Sequence, residues 1–316
     1  MTDDTDLISS LQKPLKELQK KRLVTLFGLG ITLIIGVSAI IFIVNSDGGP
    51  SVFLWIAIGA AFGIGVLIVK NFKNSAADLI IPPLARTVGL RYQASVPKDL
   101  TRGWMATGLL PNGSHISRSE DGFEGDFAGR RFQTADLRIE TGGKHSTRLF
   151  NGLVVSMELA EPHHGFVLAS EKNTTGGFFA RPKVGTENLI KMTQYKSSTL
   201  RRFHAFVPLP KMASDPGFQA RMQVLVRLDA EISQCDLFSV VCTGRRILVA
   251  LSHETDFFRL RLLFGTAELP DDLRRVFSEM QAALKVVEIL LDAEQAASPD
   301  DGSAPPEVSD EAPAAE

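Results

Sequence analysis

Two apolar runs dominate the hydropathy pattern. Leu23 to Val44 is 22 residues without a charge, and Ser51 to Val69 is 19 residues without a charge. At about 1.5 Å of rise per residue they extend roughly 33 and 28 Å, enough to cross a hydrocarbon core of about 30 Å. The connector, Asn45-Ser46-Asp47-Gly48-Gly49-Pro50, is built of turn formers. The pattern predicts a two-helix transmembrane hairpin over 23–69. A cleaved signal peptide fits less well, because the first run exceeds roughly 7–15 residues and Ile43-Val44-Asn45-Ser46 offers no small-residue cleavage site.

Before the first run, Leu7, Leu11, Leu15 and Leu18 recur at helical spacing beside Lys13, Lys16 and Lys20. This predicts an amphipathic helix within 1–22, capped at Asp6 and broken or bent at Pro14. It either lies on headgroups or a partner, or extends the first span. After the second run, helical periodicity over 76–90 meets a boundary at Pro82-Pro83. From Asn112-Gly113 the pattern turns strand-like: Phe123, Gly125 and Phe127 alternate, Ala128-Gly129-Arg130 turns, and Phe132 to Glu140 returns. Leu153 to Leu159 and Gly165 to Ser170 read as two further strands, with a long excursion holding one short strand over 173–199. Leu200 to Pro208 is strand-like. Phe218, Met222, Leu225, Val226 and Ile232 mark a helix over 216–233. Phe238 to Cys242 and Ile247 to Leu251 flank Thr243-Gly244-Arg245-Arg246 as a hairpin, and Asp256 to Phe264 is another strand. A closing helix starts at Asp271 or Asp272 with the apolar stripe Leu273, Val276, Phe277, Met280, Leu284, Val287 and Leu291, leaving Glu279 on the polar side. Strands grouped together with few helices between them predict an α+β domain of mainly antiparallel sheet, over 70–292.

Charge adds an orientation. Lys13, Lys16, Lys20, Lys21 and Arg22 precede the first run, Lys70 and Lys73 follow the second, and the connector has no basic residue. Short basic flanks stay inside, so both termini and the soluble domain are expected in the cytoplasm of a two-span inner-membrane protein. The tail over 293–316 holds seven acidic residues and no Lys or Arg, which leaves the rest of a chain of net charge −2 at +5. That surplus is too mild for nucleic acid. Its prolines and lack of aromatics predict a disordered tail. The pairs Arg130-Arg131, Arg201-Arg202, Arg245-Arg246 and Arg274-Arg275 read as solvated surface, or as a weak contact with anionic headgroups. Cys235 and Cys242 form no metal or redox motif and suit free thiols.

The candidate sites are few. Gly59 and Gly63, four apart with small residues between them, predict a helix-packing seam, placed within the hairpin rather than between two copies. No ionisable side chain lies in either run, so the hairpin is an anchor rather than an ion path. Glu120, Asp121 and Glu124, beside Gly122 and Gly125, form an acidic loop that is the first place to seek a ligand or partner, although it lacks the spacing of a calcium loop. His163-His164 sits beside Pro162 and Gly165 and reads as a turn between strands, since adjacent residues on an extended chain face opposite ways. Thr141-Gly142-Gly143-Lys144-His145-Ser146 misses two requirements of a phosphate loop: Arg138 stands where its first glycine belongs, and His145 follows the lysine in place of a hydroxyl. No metal, cofactor or catalytic residue is expected.

Gly108-Leu109-Leu110-Pro111, Glu120-Asp121-Gly122-Phe123-Glu124-Gly125 and Leu149-Phe150-Asn151-Gly152-Leu153 follow a basic start and two apolar runs. In that order they resemble a bacterial membrane-protein family, the domain-of-unknown-function 3137 family, over roughly residues 5 to 292; 173–199 departs most from its pattern. The resemblance implies membrane anchoring and brings no catalytic residues. The expected function is a membrane-anchored cytoplasmic binding or scaffold module. Its expected partners are membrane lipid and another membrane or cytoplasmic protein. A hydrolase or transferase assembled only in three dimensions, or a small subunit of a transport or envelope complex, is the alternative.

Overall fold

Helix α1, Asp4–Asn45, runs unbroken through the basic leading segment and the first apolar run, with Pro14 inside it. Helix α2, Val52–Thr87, carries Pro82 and Pro83 in its interior, so the boundary expected at the proline pair moves to its end. There Gly89, at φ +76°, lets Leu90 N donate to Ala85 O at 2.9 Å and Gly89 N to Arg86 O at 3.1 Å, the two bonds of a Schellman end. An interior proline costs a helix about 3 kcal/mol; the fully buried Ile80, Ile81, Leu84 and Ala85 on either side offset it by packing. The structure, a computed structural model, describes residues 4–45, 52–96, 100, 104–143, 146–171, 182–184, 187–196, 201–232, 235–254, 256–258 and 269–296. The expected turn over 46–50, most of the strand expected over 256–264 and the tail beyond 296 lie outside them; Asp256 to Phe258 is not strand.

The two helices pack antiparallel, and one pair of helices meets two environments. Leu11 and Leu18 of α1 are buried with Phe72, Ala76 and Ile80 of α2 in the core of the soluble domain. Farther along, Leu23, Phe27, Ile34, Ile41, Trp55 and Phe62 are each at least half exposed. Among the described residues, one helical stretch, Leu11–Phe42, is long and apolar enough to cross a membrane.

The soluble part is α+β. Strands β1 (Arg91–Gln93), β2 (Ser114–Phe127), β3 (Arg130–Thr141) and β4 (Arg148–Ser170) form an antiparallel meander. Two short strands, β5 (Lys183–Val184) and β6 (Glu187–Asn188), pair apart from it. Strands β7 (Ile190–Lys196) and β8 (Arg202–Val207) then join the main sheet beyond the far end of β4. The excursion over 173–199 thus contributes more than the single short strand expected. Helix α3 (Pro216–Glu231), strand β9 (Asp236–Ser252) and helix α4 (Leu269–Gln295) complete the chain.

Two expected reversals are absent. β4 is one strand, and β9 is one strand that pairs with it from Gly152↔Ser252 to Ala169↔Ser239. The signals at Pro162-His163-His164-Gly165 and Thr243-Gly244-Arg245-Arg246 are bulges facing each other, with His163 opposite Gly244 at φ +64°. Proline and left-handed glycine serve a bulge as well as a turn, and continuous pairing along the partner decides for the bulge.

Both faces of the sheet are covered, which explains why its central strands read as unbroken apolar runs. Leu153, Val155, Leu168, Val240 and Val249 face α1, α2, α3 and α4; Val154, Val167, Val241 and Ala250 face the other way, onto Trp104, Leu109 and Leu110. Asp215 caps α3, its side chain accepting from Phe218 N at 2.7 Å, with Pro216 in the first turn.

The buried face of α4 is rotated from the expected stripe. Val276, Met280, Ala283, Val287 and Leu290 are fully buried, while Phe277, Leu284 and Leu291 are only partly so. Glu279 is not on the polar side: it is buried, accepting from Phe258 N at 2.5 Å and from Arg275 Nη1 at 2.6 Å. The helix also passes the expected limit at 292. Ala293 is buried, and Glu294 accepts from Arg130 Nε at 3.1 Å and Ala160 N at 2.6 Å.

Candidate functional site

The acidic segment is not a loop. Glu120, Asp121 and Glu124 lie within β2 at a bulge, between the pairs Glu120↔Asp136 and Phe123↔Thr134. The bulge puts Asp121 at φ +47°, where Tyr92 Oη donates to its carboxylate at 2.5 Å. Burial, together with the Asp121 charge, drives the Tyr92 phenol far up from its usual range, and burial raises Asp121 as well. Glu124 is buried against Gln93, Arg91 and Arg131. Next to them Asp136 is 1% exposed and meets Arg118 Nη2 at 2.7 Å. Arg118 also pairs with Asp256, which meets Arg138 at 3.2 Å. Burial pushes Asp136 up to about 8 against the opposing pull of Arg118. Two arginines and two aspartates balance here, tying β2 and β3 to the segment after β9. Asp121 and Glu124 are tied into the fold by these contacts, while Glu120 stays exposed and Glu124 also lines a cleft of about 500 Å³ with Arg86, Arg91 and Arg131.

The family-like motifs have structural uses too. A side chain at Gly152 would meet Leu251 O at 2.0 Å, and Asn151 donates to His253 O at 3.0 Å while accepting from Arg138 at 3.2 Å. Gly108, at φ +70°, turns the chain so that Leu109 and Leu110 enter the core.

Gly59 and Gly63 do not form a seam within the hairpin. Both are exposed, and a Cβ on either would meet nothing within 4 Å. The helices approach at Gly28, 3.4 Å from Ile68, and at Gly65, beside Leu29 and Thr32 at 3.9 and 4.0 Å. Cys235 and Cys242 are free and buried, which pushes each thiol up to about 12.

A second group of ionisable side chains converges on open space. The β4 bulge and the start of α3 bound a cleft of about 610 Å³. Phe166 and Phe218, edge to face at 5.7 Å, form its apolar floor; His163, His164, Lys211 and Asp215 edge it. In its wall Arg221, 6% exposed, donates from Nε to Ala293 O at 3.2 Å, and its Nη2 lies 3.2 and 3.3 Å from the two ring nitrogens of His163. Burial and the neighbouring guanidinium hold His163 below its ordinary pKa. Among the described residues His164 and Ser214 make no hydrogen bond, so no nucleophile is paired with a base here. The histidine pair stood out by type but reads as a turn, and Arg221 did not stand out, although one signal for it was legible. Arg221 falls three residues after Phe218 and four before Leu225, on the buried face of α3. The arginine pairs, read as solvated surface, likewise include structural members: Arg201 meets Asp229 at 3.2 Å, and Arg275 meets Glu279.

No family model matches this chain, and no curated protein matches it. Among solved structures it is similar to the crystal structure of the mycobacterial trehalose monomycolate transport factor A, TtfA, with 12% identity and a TM-score of 0.34 over 64% of this chain and 91% of that one. At that score the likeness carries no argument about what the protein does.

Proposed function

We propose that this chain is a two-span membrane protein whose α+β domain is held at the cytoplasmic face as a binding module, within the domain-of-unknown-function 3137 family. The observation that carries the reading is the division of α1 and α2. Their large apolar side chains are exposed over 23–42 and 52–67 and buried over 11–18 and 72–85, in the same two helices. An exposed apolar surface of that extent needs an apolar solvent, and the buried ends make the spans and the domain one body. The basic residues at the domain end of the helices favour the cytoplasmic side. With Gly59 and Gly63 turned away from the hairpin, the contact they offer is to lipid or to another membrane helix. Binding is favoured over catalysis because the cleft gathers cations and aromatics without an activated nucleophile.

Topology tests the reading. Gly48→Cys and Glu288→Cys are each treated in intact cells with a membrane-impermeant maleimide. The native thiols contribute little background, since burial keeps them protonated and the thiolate is the reactive form. Labelling at position 48 in intact cells, and at 288 only after lysis, is the expected result. Labelling at 288 in intact cells overturns the cytoplasmic placement, and protection of both sites until lysis overturns the two-span hairpin.

A further inference from the structure

We propose that the cleft between α3 and the β4 bulge binds an oxyanion, a phosphate monoester or a carboxylate, carried on a small apolar group. Arg221 is the reason. It is buried, yet no carboxylate lies within 4 Å of it among the described residues, and a buried charge without a partner is costly. The acids nearby are already occupied: Glu294 holds Arg130 and Ala160 N, and Asp215 caps α3 through Phe218 N. The carbonyl of Ala293, in the last turn of α4, offsets part of the charge as helix C-termini do and fixes the guanidinium in place. Its Nη1 makes no hydrogen bond among the described residues and is not sealed from solvent, so a planar donor remains free at the wall of the cleft. With Nε on Ala293 O and Nη2 beside His163, the free Nη1 offers a charge-assisted hydrogen bond to an oxygen of a carboxylate or phosphate.

The surroundings set the rest of the ligand. Lys211 has no ion-pair partner among the described residues and edges the same space, giving two cations against the single charge of Asp215. The floor of Phe166 and Phe218 is apolar, and the volume lies within the range of small-molecule sites, about 300–1,000 Å³. A bare anion would leave that floor wet, and a neutral apolar molecule would leave Arg221 unmatched. The inference stands apart from topology, since it uses only the soluble domain.

The test uses the full chain in nanodiscs of zwitterionic lipid, with empty nanodiscs as blanks, and titration calorimetry. The probes are phenyl phosphate and benzoate; inorganic phosphate and benzyl alcohol are the controls for each half of the ligand. One of the two aromatic anions is expected to bind with a Kd below about 1 mM, about tenfold or more tighter than either control. The stronger of the two assigns the headgroup. Lys211→Ala, at an exposed position, should weaken that binding about threefold. Arg221→Lys, where its melting transition shows it folded, should weaken it about tenfold or more. The proposal is overturned if neither anion binds, if benzyl alcohol binds as tightly, or if Lys211→Ala or folded Arg221→Lys binds as the wild type does.

Discussion

Arg118 and Arg221 are both withdrawn from solvent, under opposite circumstances. Arg118 lies between Asp136 and Asp256, and Arg138 completes a balanced set of four charges. Arg221 has a main-chain carbonyl, a histidine held neutral and an open cleft. The first arrangement joins sequence-distant segments, and its one unpaired donor, Arg118 Nε, is sealed from solvent. The second leaves a fixed cation facing space. Burial alone therefore does not separate a structural charge from a functional one; an unpaired donor that faces open space does.

The sharpest way to break this comparison is to neutralise each arginine without changing its bulk. Arg118→Met strands Asp136 and leaves Asp256 to Arg138 alone, and breaking a buried pair costs about 3–5 kcal/mol, a melting-temperature loss of about 10 °C for a domain of this size. Arg221→Met removes a charge that no carboxylate balances, with its hydrogen bonds to Ala293 O and His163, and should cost about 1–2 kcal/mol, less than Arg118→Met. Thermal melts of the full chain in detergent decide it. Equal losses would mean that Arg221 is as structural as Arg118.

A smaller effect is expected at Glu279, a buried acid whose partners are all internal. Glu279→Ala leaves Phe258 N unpaired and should cost about 1–3 kcal/mol. Glu279→Gln keeps an acceptor and should cost less. An alanine variant that melts like the wild type would show that the buried bond contributes nothing.

The last effect is a slope rather than a single loss. Burial raises Asp136 to about 8, so the folded chain holds that proton more tightly than the unfolded chain does. Its contribution is fully present below about pH 4 and is lost as pH rises through about 8. Asp136→Asn, which cannot ionise, should flatten this part of the decline when melts at pH 5, 7 and 9 are compared. Parallel curves for the two proteins would mean that Arg118 keeps Asp136 ionised throughout.

The sequence by itself determined what depends on local period and run length: the long N-terminal apolar helix, the β2–β3 hairpin closed at Ala128-Gly129, the α3 helix and its apolar face, and the closing helix. Each is set by neighbours within a few residues. Tertiary structure alone decided the matters that hinge on a distant partner. Thr243-Gly244-Arg245-Arg246 satisfies a turn and a bulge equally, and pairing with β4 selects the bulge. Glu279 looked polar-facing because α4 carries apolar residues around more than half its surface, and the sheet determined which part is buried. Asp121 and Glu124 looked exposed until Tyr92, Gln93 and Arg91 were seen folded over them, while Glu120 does stay exposed. Arg221 could be placed on a buried face from sequence, but whether a carboxylate would meet it depended on where Glu294 and Asp215 spend their oxygens. Ion pairs are short-ranged in space and indifferent to separation along the chain, so the lack of a carboxylate at Arg221 among the described residues became visible only in the fold.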